Sequence, residues 1–179
     1  SLFCFYFSPS ASSLTYQSSV GVNFTFNSAL NVSLSGNLVI NNLTPGSSSD
    51  SNVIDVSVST NASYGYVLSA TVGQKNGTSS LVNNTSSSNT FTNLNANKAS
   101  LSNFTDNTWG YSYSVDNGTN WISGSTGSTV SGYNGLPLDN NDNAEERGKG
   151  GITLISTDNP LDNQSIKFKI GAKASTSQP

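Results

Sequence analysis

Apolar residues recur at every second position along most of this chain of 179 residues, the period of half-buried β-strands and not of helices. Val20, Val22, Phe24 and Phe26 alternate with Gly21, Asn23, Thr25 and Asn27. Leu30, Val32 and Leu34 continue the pattern, and Ile54, Val56 and Val58 repeat it around Asp55 and Ser57. Tyr64, Tyr66, Leu68, Ala70 and Val72 follow suit. So do Trp109, Tyr111, Tyr113 and Val115, then Ile152 and Leu154, and finally Ile166, Phe168, Ile170 and Ala172. Each set is expected to bury one face of a strand. Residues 93–105 have room for one short helical turn, around the irregularly spaced Leu94, Leu101 and Phe104. Many short strands joined by turn-rich loops predict an all-β fold. The expected architecture is an immunoglobulin-like antiparallel β-sandwich with long Ser/Asn/Gly-rich loops.

Turn residues punctuate the strands at Thr44-Pro45-Gly46, Asn61-Ala62-Ser63, Asp116-Asn117-Gly118 and Asn159-Pro160. Asn117-Gly118 is a hairpin signal, because both residues tolerate positive φ. A two-residue turn there would put Ile122 on the Trp109 face of the hairpin, and a three-residue turn would put Trp121 there. Residues 73–92 and 124–150 are expected to form long surface loops, the second an exposed excursion.

The surface is polar without being charged. Charged residues make up 9% of the chain and the net charge is −3, whereas globular proteins carry about 25% charged residues. Seven Tyr, eight Phe and two Trp argue for a folded core and against disorder. Such a surface suits the outside of a cell. The seven Lys and Arg are scattered, and nucleic-acid binding requires clustered cations. A sequence pI near 4.5 argues against anionic membrane surfaces. The single cysteine, Cys4, cannot form an intrachain disulfide. It is either an inert member of an apolar run or a lipoprotein-type cysteine.

The usual catalytic groups are sparse. The chain has no histidine, which removes Ser-His and Cys-His nucleophiles and Cys/His zinc sites. No phosphate-binding loop follows an apolar strand, and no two of the Asp and Glu residues stand out as a glycosidase pair. The expectation is a protein that is not an enzyme. The acidic loop has Asp139, Asn141, Asn143 and Glu145 at alternate positions, with Asp142 between them, and is the best candidate for calcium. An EF-hand would need Gly and Glu where Ala144 and Gly150 stand, so the alternatives are an irregular calcium site or a solvated loop. Trp109, Tyr111, Tyr113 and Trp121 are candidates for an aromatic platform that binds sugar. For the Trp109 face, the competing reading is sandwich core. Asn-x-Ser/Thr triplets, headed by Asn23, Asn31, Asn42, Asn61, Asn76, Asn83, Asn84, Asn103, Asn117 and Asn163, matter only in a host that glycosylates secreted proteins.

Residues 1–13 read as a signal-peptide remnant or N-terminal extension, with one domain over 14–179. The run Leu2-Phe3-Cys4-Phe5-Tyr6-Phe7 followed by Ser8-Pro9-Ser10-Ala11-Ser12-Ser13 has the pattern of an apolar leader entering its cleavage site. The alternative is an extended strand that inserts into a neighbour. The run is too short to span a bilayer, and no membrane insertion of the mature domain is expected.

Three stretches carry a family resemblance: Ser33-Leu34-Ser35-Gly36-Asn37-Leu38-Val39-Ile40, Val56 through Ala70 with Tyr64-Gly65-Tyr66-Val67-Leu68, and Ile166 through Pro179. Together they resemble bacterial secreted cell-surface β-sandwich proteins, and the order of elements is similar to WxL-type cell-wall-binding domains and to pilus subunits. The resemblance implies a secreted or cell-surface protein that acts in adhesion or binds cell-wall or surface glycan. Its pilus side implies instead a structural subunit whose partners are copies of itself, joined by strand exchange. It also implies one further strand after Gln178-Pro179, so that 14–179 would lack its last strand.

Overall fold

The computed structural model describes residues 3–7, 14–17, 23–26, 30–41, 43–60, 65–73, 81–82, 90–139, 150–159 and 164–177. They form β1 (Phe3–Phe7), β2 (Leu14–Gln17), β3 (Asn23–Phe26), β4 (Leu30–Leu34), β5 (Ser48–Asp50), β6 (Ile54–Thr60), β7 (Tyr66–Gly73), β8 (Leu81–Val82), β9 (Thr90–Asn93), β10 (Thr108–Ser114), β11 (Leu138–Asp139), β12 (Ile152–Thr157) and β13 (Gln164–Lys173). A 3-10 turn, Leu101–Asn103, lies inside the stretch expected to hold one. The all-β class read from the alternation is the one observed.

The large sheet has the order β4-β6-β13-β10-β9-β8, with β5 beside β6 on the same edge of β13. In the small, curled sheet β7 is central. β1 pairs along one edge of it from Phe3 opposite Val72 to Phe7 opposite Leu68. β11 and β12 share the other edge. β2 and β3 make a separate hairpin.

The two sheets meet over one core. Ile54, Val56, Val58, Trp109, Tyr111, Tyr113, Ile166, Phe168, Ile170 and Ala172 from the large sheet pack against Tyr66, Leu68, Ala70, Val72, Leu154 and Ile155 from the small one. Each large side chain buried in this way contributes about 1.5–3 kcal/mol. The Tyr111 ring stacks on Phe168 at 5.8 Å and on Tyr113 at 6.4 Å. The Tyr66 hydroxyl crosses between the sheets and donates to Gln164 Oε1 at 2.5 Å. Val115 departs from its alternating set: β10 ends at Ser114 and Val115 is exposed. Tyr64 and the set Val20 and Val22 lie outside the described residues.

Two strand pairs run parallel, β9 with β10 and β11 with β7, so the wholly antiparallel arrangement expected from the sequence is corrected. A tight hairpin enforces antiparallel pairing, whereas a segment arriving through a long connection is free to pair either way. Both exceptions are of the second kind.

The edge of β10 opposite β13, where β9 pairs only with Thr108 and Trp109, explains a second correction. Residues 125–131 are largely exposed, as expected, but the excursion does not continue through 132–137, where Tyr133 and Leu136 are buried. Backbone groups on that edge need partners, and three separate segments supply them. The Leu94 N–H donates to the Trp109 carbonyl at 2.8 Å. Tyr111 and Asn134 exchange bonds of 2.8 and 3.1 Å, and Tyr113 and Ile122 exchange bonds of 3.0 and 2.9 Å. Asn93 fastens the crossing. Its amide donates to the Leu136 carbonyl at 2.5 Å and accepts the Leu136 N–H at 3.1 Å, as a paired strand residue would.

Candidate functional site

The Asn117-Gly118 turn decides where Trp121 goes. Asn117 and Gly118 adopt φ of 60° and 89°, the pairing of signs that a two-residue hairpin turn requires. Tyr113 then stands opposite Ile122. Ile122 packs on the main core, and its neighbour Trp121 is left on the outer face of the large sheet. Asp116 organises the turn. Its carboxylate accepts the Asn120 N–H at 2.9 Å, the Ser114 hydroxyl at 2.6 Å and the Asn120 side-chain amide at 2.6 Å. Those bonds, the Asn120 N–H first, lower the Asp116 pKa to about 2.

Beneath Trp121 runs the outer face of β13. Ile166, Phe168, Ile170 and Ala172 point to the core, so Lys167, Lys169, Gly171 and Lys173 point away from it. Three of the basic residues therefore stand in a row, where the sequence reading took them as scattered. Each is paired: Lys167 with Asp55 at 2.8 Å, Lys169 with Asp50 at 2.8 Å and Lys173 with Asp106 at 3.2 Å. The Lys169 ammonium also lies 4.4 Å from the centre of the Trp121 ring and 5.3 Å from that of Tyr133. Such contacts are worth from about 0.5 to about 2 kcal/mol as they become desolvated.

Tyr133 completes the group. Its hydroxyl donates to Asp50 Oδ1 at 2.6 Å. Burial, and then the bond to and charge of Asp50, push the Tyr133 pKa well above the ordinary phenol value. Phe104 meets Tyr133 edge-on at 5.3 Å, and Leu94 and Leu101 join them in a small second core. The result is a half-buried indole with a cation against its ring, preceded in the chain by the exposed Asn117, Thr119 and Asn120.

Of the four aromatic residues read as a sugar platform, Trp109, Tyr111 and Tyr113 belong to the core at 0% exposure. They present no face to a ligand, because a strand covered on both sides has no outer aromatic surface; every residue of β10 is buried. Trp121 alone stands outside. Asp139 lies in β11, opposite Gly73, while Asn141, Asp142, Asn143 and Glu145 lie outside the described residues. Among the described residues no three His, Cys, Asp or Glu side chains gather as a metal site, and no helix is long and apolar enough to cross a membrane. Asp50, Tyr133 and Lys169 were missed by sequence reasoning. The alternation of Lys167, Lys169 and Lys173 against an apolar face was the available signal for the cations.

The Tyr113 hydroxyl is buried and has no hydrogen-bond partner among the described residues. The Tyr111 hydroxyl beside it accepts the Gly124 N–H at 2.8 Å. No protein-family model, curated protein or solved structure matches the chain.

Proposed function

We propose that this protein is a non-enzymatic module of the cell surface that binds glycan through Trp121. The observation that carries the reading is the division of labour between the two tryptophans. Trp109 is sealed in the core, while Trp121 lies across the outer face of the large sheet, its ring supported by Lys169. The negative face of an indole attracts the weakly electropositive C–H groups of a sugar ring, and polar side chains beside it suit hydroxyls. The surface composition, polar and sparsely charged, supports an extracellular setting. The two sheets over one core are read here as an immunoglobulin-like sandwich, a scaffold that leaves loops and sheet faces free for recognition. Titration of cell-wall and surface polysaccharides against tryptophan fluorescence tests the reading. Binding should perturb the emission of Trp121, and Trp121→Ala should abolish binding measured by calorimetry while the protein still melts cooperatively. Unchanged binding by the alanine variant would remove Trp121 from the site.

A second reading is favoured by one observation. β1 pairs with β7 over five consecutive positions, and the segment Ser8-Pro9-Ser10-Ala11-Ser12-Ser13 follows it. A strand attached in this way could pair with β7 of another copy, making the protein a pilus-like subunit assembled by strand exchange. Size-exclusion chromatography distinguishes the two: a monomer fits the glycan module, and multimers that resist SDS fit the subunit.

A further inference from the structure

We infer that the glycan accepted at Trp121 is uncharged, a conclusion that rests on the glycan reading above and names its ligand class. The cations nearest the ring are already committed. Lys169 is the closest, and its side chain is only 14% exposed. Its ammonium faces the Trp121 ring, the Tyr133 ring and the Asp50 carboxylate at once. Lys167, whose stem lies with Trp121 beside Gly118, is held by Asp55 at 2.8 Å.

An acidic sugar would have to compete with these carboxylates. It would also meet Asp55 and Asp50, which already balance the two cations Lys167 and Lys169. Each like charge near a ligand carboxylate opposes binding, and neither Lys167 nor Lys169 offers an unpaired ammonium to offset it. The net charge of −3 adds a long-range field of the same sign. An uncharged pyranose meets none of this opposition. It needs only the exposed part of the half-buried indole and polar groups, and the turn that precedes Trp121 exposes Asn117 and Thr119. The paired charges thus act as specificity elements: they hold the ring while rejecting anionic sugars.

The test uses the full chain and two sets of probes. The neutral set is chitohexaose, laminarihexaose and mannan; the acidic set is polygalacturonate and hyaluronate. Tryptophan fluorescence should report binding to at least one neutral probe, at least about tenfold tighter than to any acidic one. That affinity should be unchanged between about 0.01 M and about 0.15 M salt, a range over which screening shortens from about 30 to about 8 Å. In Asp55→Asn, which releases the Lys167 ammonium at an exposed pair, the preference for neutral probes should shrink. Binding confined to the acidic probes, or a neutral affinity that falls with salt, would overturn the uncharged-ligand inference and leave the glycan reading standing. Absence of binding to both sets would overturn the glycan reading itself.

Discussion

Gly110 and Gly171 stand directly opposite each other on β10 and β13. Neither has a side chain on the outer face of the sheet, and the second core settles into the space. A Cβ on Gly110 would come within 2.6 Å of Leu94 Cδ1 and 2.8 Å of the Asn134 carbonyl. A Cβ on Gly171 would overlap Leu101 and reach 3.1 Å from both Asp50 Oδ1 and Tyr133 Cε1. This glycine pair lets Tyr133 descend far enough to reach Asp50, and so it sets the position of the group beneath Trp121.

Gly171→Ala should therefore destabilise by overpacking, by about 1–3 kcal/mol. Gly110→Ala should cost more, because one of its obstacles is backbone and cannot rotate away. Urea denaturation measures both, and a midpoint unchanged in Gly110→Ala would contradict the close approach.

The two neighbouring core tyrosines should respond in opposite directions to loss of the hydroxyl. Tyr113→Phe removes a buried group without a partner among the described residues, and stability should hold or rise by about 1 kcal/mol. Tyr111→Phe strips the Gly124 N–H of its acceptor and should cost about 1–3 kcal/mol. Thermal melts of the pair, compared with the parent, decide it; a larger loss in Tyr113→Phe would refute the assignment.

Alkaline pH should unfold the protein cooperatively. Burial raises Tyr66 and Tyr111 from 10.0 to about 12, and raises Tyr113 as well. A raised folded-state value means that the native protein keeps protons the unfolded chain releases. The stabilisation is complete below pH 10 and drains away as pH rises from there through about 12. Tyrosinate absorbance should rise together with loss of the near-ultraviolet circular dichroism. Ordinary titration of these phenols near pH 10 in a still-folded protein would disprove it.

Asp116 behaves in the reverse sense. Its depressed value means that its contribution is present above the ordinary carboxylate range and is lost as pH falls towards about 2. Carboxyl chemical shifts followed by NMR should place its midpoint near that value. A midpoint near the ordinary carboxylate value of 3.8 would show that the bonds to Asn120 and Ser114 do not persist in solution.

The sequence by itself determined the long strands and most of the main core, but not β5 or β11, nor β8 and β9, which fall in or overlap the expected loop 73–92, nor the buried Tyr133 and Leu136. Ile54, Val56 and Val58, Trp109, Tyr111 and Tyr113, and Ile166, Phe168 and Ile170 are all buried as their alternation required. The reason is local: side chains alternate across a strand whatever its neighbours are, and only the apolar set gains from leaving water. The Asn117-Gly118 turn was legible on the same ground, as a property of two adjacent residues. The tertiary structure decided the rest. Whether Trp121 or Ile122 faced the core depended on a register one residue either way, and the pairing of Ile122 with Tyr113 settled it. Residues 132–137 read as a loop because they lack alternation, yet they pack against the part of the β10 edge that β9 leaves uncovered, where Asn134 pairs with Tyr111. The group under Trp121 joins Asp50 to Tyr133 and Lys169 across separations of 83 and 119 residues. No local pattern encodes such a meeting, which exists only once β5, β13 and the covering segment share one face of the sheet.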